Sequence, residues 1–456
     1  MNETRELARF ASELEYDRIP SQAIQSAKGC VLDCLGCGLA ASGLPWSRMV
    51  AELALEASAA GPCTILGLSQ KASASYAALV NGTMIGGFET DHVYSPASCH
   101  PGASVFPALL AVAEREHLSG RQFLTALVAG YEVVCRIGRA ATRAVEDVAG
   151  FHGPATNGPF GAATAAARAL NLDSEQTASA LGIAGSSAGG LLEFSLDGSM
   201  IKRLHMGRAS QLGLESALLA QKGFTGPHTI LEGKRGFLKV FSPDPHPERL
   251  LEGLGESYVM ASVLQIKSYP CHIRAHPFVD ALVRFKAEGS FDARQVRRVQ
   301  IHLDGHDAER HGQQEPDTLL AAQYSIPYSV AVALWRDLSN PAAFSDGVEL
   351  DGAIRKTARE IELRPMRESE EPALVLDVDG QTHHLDASDY RGSPTNPYAF
   401  DDLCDKFRRY AAVSIEREAI EQTIRLVGAL EGVKDMASLT RLLVPSPSQH
   451  ARRISS

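Results

Sequence analysis

Residues 123–134 read FLTALVAGYEVV and residues 161–170 read GAATAAARAL. In both stretches apolar residues recur at the three- and four-residue steps of one helix face. Their alanine and glycine content lets neighbouring helices approach closely. The same texture extends outward through 105–114 (VFPALLAVAE) and 211–221 (QLGLESALLAQ), and fills the chain from Glu3 to about Val240. Asp173 followed by Gln176 has the spacing of a capped helix start. Short turns with Gly and Pro separate the pieces, so this region predicts one all-helical domain.

Strand patterns begin only after about residue 290. Residues 296–303 (VRRVQIHL) and 360–364 (EIELR) alternate polar with apolar. Residues 374–378, the pair Asp379-Gly380 and residues 381–385 predict a hairpin with a tight turn. Helical stretches such as 277–286 and 329–337 accompany them. A charged helical tail from 401 to about 443 returns to the first domain. The expected fold class is mainly α: a large all-helical domain (1–264 with 396–456) plus a smaller α+β lid domain (265–395).

The chain has 456 residues, 45% hydrophobic and 21% charged, with 44 Lys plus Arg against 54 Asp plus Glu and a formal charge of −10. That usage is ordinary for a globular protein and excludes disorder as the main state. The acidic balance argues against a nucleic-acid or membrane-surface binder, whose affinity would come from a basic face. It also leaves a tension: an anionic substrate would need positive charge concentrated locally. The first twenty residues, MNETRELARFASELEYDRIP, lack the apolar core of a signal peptide. No uncharged apolar run of about 18 residues occurs, so no membrane span is expected. Eight scattered cysteines read as reduced thiols, and the expected location is cytoplasmic.

Cys30, Cys34 and Cys37 have the spacing that radical enzymes use for an iron–sulfur cluster. Such a cluster wants a loop. The context here, AIQSAKGCVLDCLGCGLAAS, has helical periodicity instead, and the helix reading is preferred.

Four segments combine ionisable residues with Gly or Pro where a plain core would carry neither. GGFETDHVYSPASCHPGAS holds Glu89, Asp91, His92, Tyr94, Cys99 and His100, and GFHGPATNGPFG holds His152. SLDGSMIKRLHMGRASQLG holds Asp197, Lys202, Arg203, His205 and Arg208, and IKSYPCHIRAHPF holds Lys267, Tyr269, His272, Arg274 and His276. A fifth, QYSIPYSVA, offers Tyr324, Ser325 and Tyr328. Each has a plainer reading as turn histidine, helix cap or solvated charge run. His92, Cys99 and His100 do not match a paired-ligand zinc spacing, so no metal is expected.

Taken in order, these segments resemble the MmgE/PrpD family, from CVLDCLGCGLA through KSYPCHIRAHPFVDA and QYSIPYSVA to RGSPTNP. The resemblance implies a helical domain with a smaller lid, a homodimer, and activity without a cofactor on a small carboxylate. Family activities include 2-methylcitrate dehydration, cis-aconitate decarboxylation and iminodisuccinate epimerisation. Their shared chemistry, as the resemblance implies, is removal of a proton next to a carboxylate, followed by loss of water, loss of CO₂ or reprotonation. Such chemistry needs a base of near-neutral pKa, cations where the enediolate develops, and an acid for the product carbon or leaving group.

By that resemblance His100 and His152 occupy the positions of the base/acid pair, and Glu89 and Asp91 those of an acidic pair orienting a histidine or the leaving group. Lys202 and Lys267 match family lysines that, with Arg274 and Arg208, would grip carboxylates. Tyr328 matches a lid tyrosine able to donate a hydrogen bond, and His272 would line the pocket from the lid side. The basic residues of two segments would then form a local island closed over by the lid. Departures are visible too: His92 stands where a second acid is frequent, Arg203 where Pro is frequent, and the spacing to the His-Pro pair is about one residue longer. They point to a different carboxylate or a different fate for the carbanion.

Dehydration of a di- or tricarboxylate is the first functional expectation. Epimerisation or decarboxylation, a non-catalytic carboxylate binder and a radical iron–sulfur enzyme are the alternatives.

Overall fold

Small residues set the geometry of the helical part. The helices Gly120–Ala141 and Gly153–Ala169 cross at Gly130 and Gly161. A Cβ on Gly130 would lie 2.8 Å from the Gly161 carbonyl oxygen, and one on Gly161 would lie 3.0 Å from that of Gly130. The helices Ala74–Ile85 and Ile201–Gln221 meet in the same way: a Cβ on Gly207 would sit 2.1 Å from the Leu79 carbonyl oxygen. Backbone-to-backbone approach of this kind leaves no gap for water and fills the interior densely.

The computed structural model describes residues 2–58, 60–261, 264–289, 291–344, 352–367 and 369–445. Helix makes up 60% and strand 8%, a mainly α fold. Two compact units are present: Met1–Leu192 with Ile201–Gln265 and Ala399–Ser456, and Glu193–Met200 with Ile266–Tyr398.

In the first unit, Ser21–Ala41, Pro101–Arg115, Gly120–Ala141 and Gly153–Ala169 are buried along most of their length. The late helix Phe400–Ala411 packs on Ser21–Ala41. Asp173 caps Ser174–Ser187 in a reciprocal capping box with Gln176. One feature departs from the sequence reading, which placed strands only after about residue 290. Cys63–Thr64 pairs antiparallel with Lys71–Ala72, a two-residue ribbon too short to show alternation.

In the second unit, Val296–Leu303 runs parallel to Glu362–Pro365 and antiparallel to Ala373–Val378, which pairs with Gln381–Asp386. The parallel pair is joined through helices, as parallel strands require. Asp379 and Gly380 both have positive φ, 52° and 85°, as a two-residue hairpin turn of the favoured hand demands. The helix expected over 329–337 is Ile326–Trp335, because Ser325 caps it by accepting from the Tyr328 N–H at 3.0 Å. No single described helix is long and apolar enough to cross a membrane.

The contact at Gly207 gives a direct test. A Gly207→Ala change gains up to about 1 kcal/mol of helix propensity, yet drives a methyl into a backbone carbonyl. Overpacking of this kind costs about 1–3 kcal/mol, so urea unfolding should show a net loss of up to about 2 kcal/mol, with the slope of the transition unchanged.

Candidate active site

The first unit gathers its ionisable groups around the loop that follows Ala74–Ile85. Arg203 fixes the loop's start: its Nε donates to the Gly87 carbonyl at 2.8 Å while its guanidinium lies 3.9 Å above the Trp46 ring. Glu89 then adopts a left-handed backbone, φ 58°, a conformation that costs a non-glycine residue of order 1 kcal/mol. Its carboxylate is ion-paired with the Lys202 ammonium, both side chains being buried.

Asp91 is fully buried and its Oδ2 lies 2.7 Å from His100 Nδ1. His100 occupies the N-cap position of Pro101–Arg115, with its side chain turned to Asp91 rather than to the helix N–H groups. With Nδ1–H donating to the carboxylate, a neutral His100 presents the Nε2 lone pair for proton transfer. The His100 side chain is 15% exposed while Asp91 is 0% exposed, so the imidazole is the member of the pair that solvent or substrate reaches.

His152 is also an N-cap, for Gly153–Ala169, and its backbone N–H donates to Gly190 O at 2.9 Å. Its Nδ1 is 3.1 Å from His205 Nδ1, so one ring donates and the other accepts. Burial, then the neighbouring His205 and His100, hold the His152 pKa well below the usual histidine range. Burial and Lys202 lower His205 likewise. Asp91–His100, His152–His205 and Lys202–Glu89 thus form one contiguous constellation, two hydrogen-bonded pairs and an ion pair.

Of the expected residues, Glu89, Asp91, His100, His152 and Lys202 come together here. His205 was assigned no role from the sequence; its signal was its place three residues after Lys202, on the same helix face. Arg208 is not brought to the group: it is exposed and donates to Gln211 of its own helix at 2.9 Å. Arg203 is occupied by Trp46 and Gly87, so the basic island is smaller than its sequence suggested. His92 does not take an acid's place beside Asp91. It is fully buried behind the loop, its Nδ1 2.7 Å from Asp33 Oδ2 and its Nε2 2.9 Å from the Tyr131 hydroxyl.

The second unit holds the remaining residues. Lys267 is buried near Cys271, whose thiol is pushed up to about 12 by burial against the opposing pull of Lys267 and Ser329. Tyr328 is buried in the first turn of Ile326–Trp335. The His272 N–H donates to Gln323 O at 2.8 Å, and its ring stacks on His311 with centroids 4.1 Å apart. Arg274 is exposed and points to Asp307, 3.5 Å away. Cys30, Cys34 and Cys37 are buried along the continuous helix Ser21–Ala41. Burial raises the Cys34 and Cys37 thiols, which keeps them protonated. Among the described residues, no group of three or more His, Cys, Asp or Glu side chains is arranged to hold a metal ion.

Comparison with known proteins divides the chain by sequence rather than by compact unit, since the second match runs into the part of the first unit that begins at Ala399. Residues 5–250 match the MmgE/PrpD N-terminal domain and residues 269–431 the MmgE/PrpD C-terminal domain. A cis-aconitate decarboxylase-like protein of Aspergillus oryzae is 29% identical over 97% of both chains. A cis-aconitate decarboxylase of Aspergillus terreus is 30% identical over 75% of this chain and 74% of the relative. The cis-aconitate decarboxylase of Mus musculus is 27% identical over 99% of this chain and 96% of its own.

The depressed His152 fixes the sign of a pH effect. Below the ordinary histidine value of about 6.5, the unfolded chain binds a proton that the folded His152 refuses. Stability therefore falls as pH drops through that value. Urea unfolding at pH 7.5 and 5.5 should show a smaller loss for His152→Gln than for the wild type.

Proposed function

The chain belongs to the MmgE/PrpD family, and from that premise we propose that it is a cofactor-independent lyase acting on a small di- or tricarboxylate. The observation that carries this reading is the Asp91–His100 hydrogen bond beside the neutral His152–His205 pair. Asp91 orients His100 through this hydrogen bond, so His100 can take a proton and give it back at a fixed place. His152, kept neutral by burial and its histidine neighbours, is the second proton carrier and a hydrogen-bond donor to developing negative charge. Lys202 is the cation beside this group and is shared with Glu89, so the positive charge it offers a substrate carboxylate is partly offset.

Loss of CO₂ is placed ahead of loss of water, because relatives matching nearly the whole chain carry the name cis-aconitate decarboxylase. For an unsaturated tricarboxylate of that type, the bond to the departing carboxylate breaks and its electron pair forms a new C=C bond. The old double-bond pair then collects on the carbon next to a remaining carboxylate. Protonated His100 delivers the proton that quenches it, leaving the imidazole neutral for recharging from solvent. Dehydration uses the same groups, with proton removal first and the acid spent on the leaving hydroxyl.

Incubation with cis-aconitate in D₂O, followed by NMR, tests the proposal. The expected product has lost CO₂ and carries deuterium at the carbon next to a carboxylate. His100→Ala should lower kcat by about 10²–10⁴-fold, and Asp91→Asn should lower it as well with the fold retained. In a parallel incubation with iminodisuccinate, deuterium entering recovered substrate without loss of CO₂ or water would identify an epimerase instead. Absence of turnover on cis-aconitate, 2-methylcitrate and iminodisuccinate alike would sink the lyase reading.

A further inference from the structure

The loop that carries Asp91 is fastened from behind by groups that the proposed chemistry does not use. Lys406, on the late helix Phe400–Ala411, donates to the Thr90 carbonyl at 2.8 Å and to Asp33 Oδ1 at 2.5 Å. Asp33, on Ser21–Ala41, accepts from the His92 N–H at 3.2 Å and lies 2.7 Å from His92 Nδ1, both through Oδ2. His92 Nε2 is held in turn by the Tyr131 hydroxyl at 2.9 Å. All four side chains are buried.

The placement of these bonds is specific. The Thr90 carbonyl belongs to the peptide group before the Asp91 Cα, and the His92 N–H belongs to the peptide group after it. One ion pair therefore grips both peptide planes that bracket Asp91, and φ and ψ at Asp91 are the torsions so fixed. Those torsions aim the carboxylate at His100 Nδ1. A misplacement of about 1 Å in such a group is enough to cost about 10²-fold in rate. Resting on the lyase reading for the role of His100, we propose that Asp33, Lys406 and His92 are positioning residues that hold Asp91 in register with His100 without touching substrate.

The ionisation states fit this task. Burial pushes the Asp33 carboxyl up, but Lys406 and His92 outweigh it and hold it down at about 2, so Asp33 is charged at neutral pH. Burial lowers Lys406, and Asp33 more than compensates, so Lys406 keeps its charge. A rigid charged clasp of this kind needs no change of state during a reaction cycle.

Removing one buried charge leaves its partner uncompensated, whereas removing both is far better tolerated. The test therefore uses the Asp33→Asn/Lys406→Met double variant, with Tyr131→Phe as a milder second variant at the far end of the clasp. Two readouts are taken: kcat and KM on cis-aconitate, and the titration of His100 followed by NMR of histidine-labelled protein. The expected result for the double variant is a near wild-type Tm, a fall in kcat of about tenfold or more with KM within about threefold, and a displaced His100 titration. Tyr131→Phe should move both in the same direction by less. Wild-type kcat and an unmoved His100 titration in the folded variants would overturn the proposal. If the wild type turns over none of the acids, yet the His100 titration still shifts, the positioning role stands and the lyase reading fails.

Discussion

The buried ion pair between Asp33 and Lys406 is the interaction on which the candidate site depends. Taking two such charges out of water costs several kcal/mol per ion, and the fold tolerates it only when each charge keeps good partners. Here the partners come from far apart in sequence. Lys406 has Asp33 and the Thr90 carbonyl, while Asp33 has Lys406, the His92 ring and the His92 N–H. An early helix, a late helix and the Asp91 loop must therefore all be in place before the pair is satisfied. The same bonds that repay the desolvation also fix the loop.

That loop is not an easy conformation to hold. Glu89 at φ 58° and Ser98 at φ 44° are both left-handed and neither is glycine. Strain of this sort persists only where the surroundings determine the backbone from several sides. Arg203 on the Gly87 carbonyl, Lys202 on Glu89, and the Asp33–Lys406 clasp are three such constraints. Two of those cations lie on Ile201–Gln221, whose close approach to Ala74–Ile85 is set by Gly82 and Gly207. The small-residue packing and the geometry of the site are thus one design: the glycines set the helix spacing that brings Lys202 and Arg203 to the loop.

The charge count of −10 takes on a more local meaning. Of the 44 Lys and Arg side chains, a small group that includes Lys28, Arg136, Lys202, Arg203, Lys267 and Lys406 is buried, so the net count says little about charge in the interior. In the first unit these cations are largely committed to internal partners. Lys28 meets Glu431, Arg136 meets Glu132, Lys202 meets Glu89 and Lys406 meets Asp33. A cationic segment in the sequence is therefore a poor measure of the positive potential that a substrate meets.

The sequence by itself determined the class of fold and the local devices within it. Helical periodicity, the Asp173–Gln176 cap and the Asp379-Gly380 turn are short-range patterns, and backbone sterics and hydrogen bonding decide them within a few residues. It also singled out the segments that bring Glu89, Asp91, His100, His152 and Lys202 together. Asp33 left a trace, a lone carboxylate in the apolar run CVLDCLGCGLA. Lys406 left none, because FDDLCDKFRRYA reads as an ordinary charged helix face. Which face of that helix is buried, that His92 turns inward to Asp33 rather than beside Asp91, and that Arg208 turns outward were decided only by tertiary structure. The reason is physical: a side chain's ionisation and role depend on which charges and dipoles surround it once water is excluded, and those partners come from other segments, as far apart in the chain as Asp33 and Lys406.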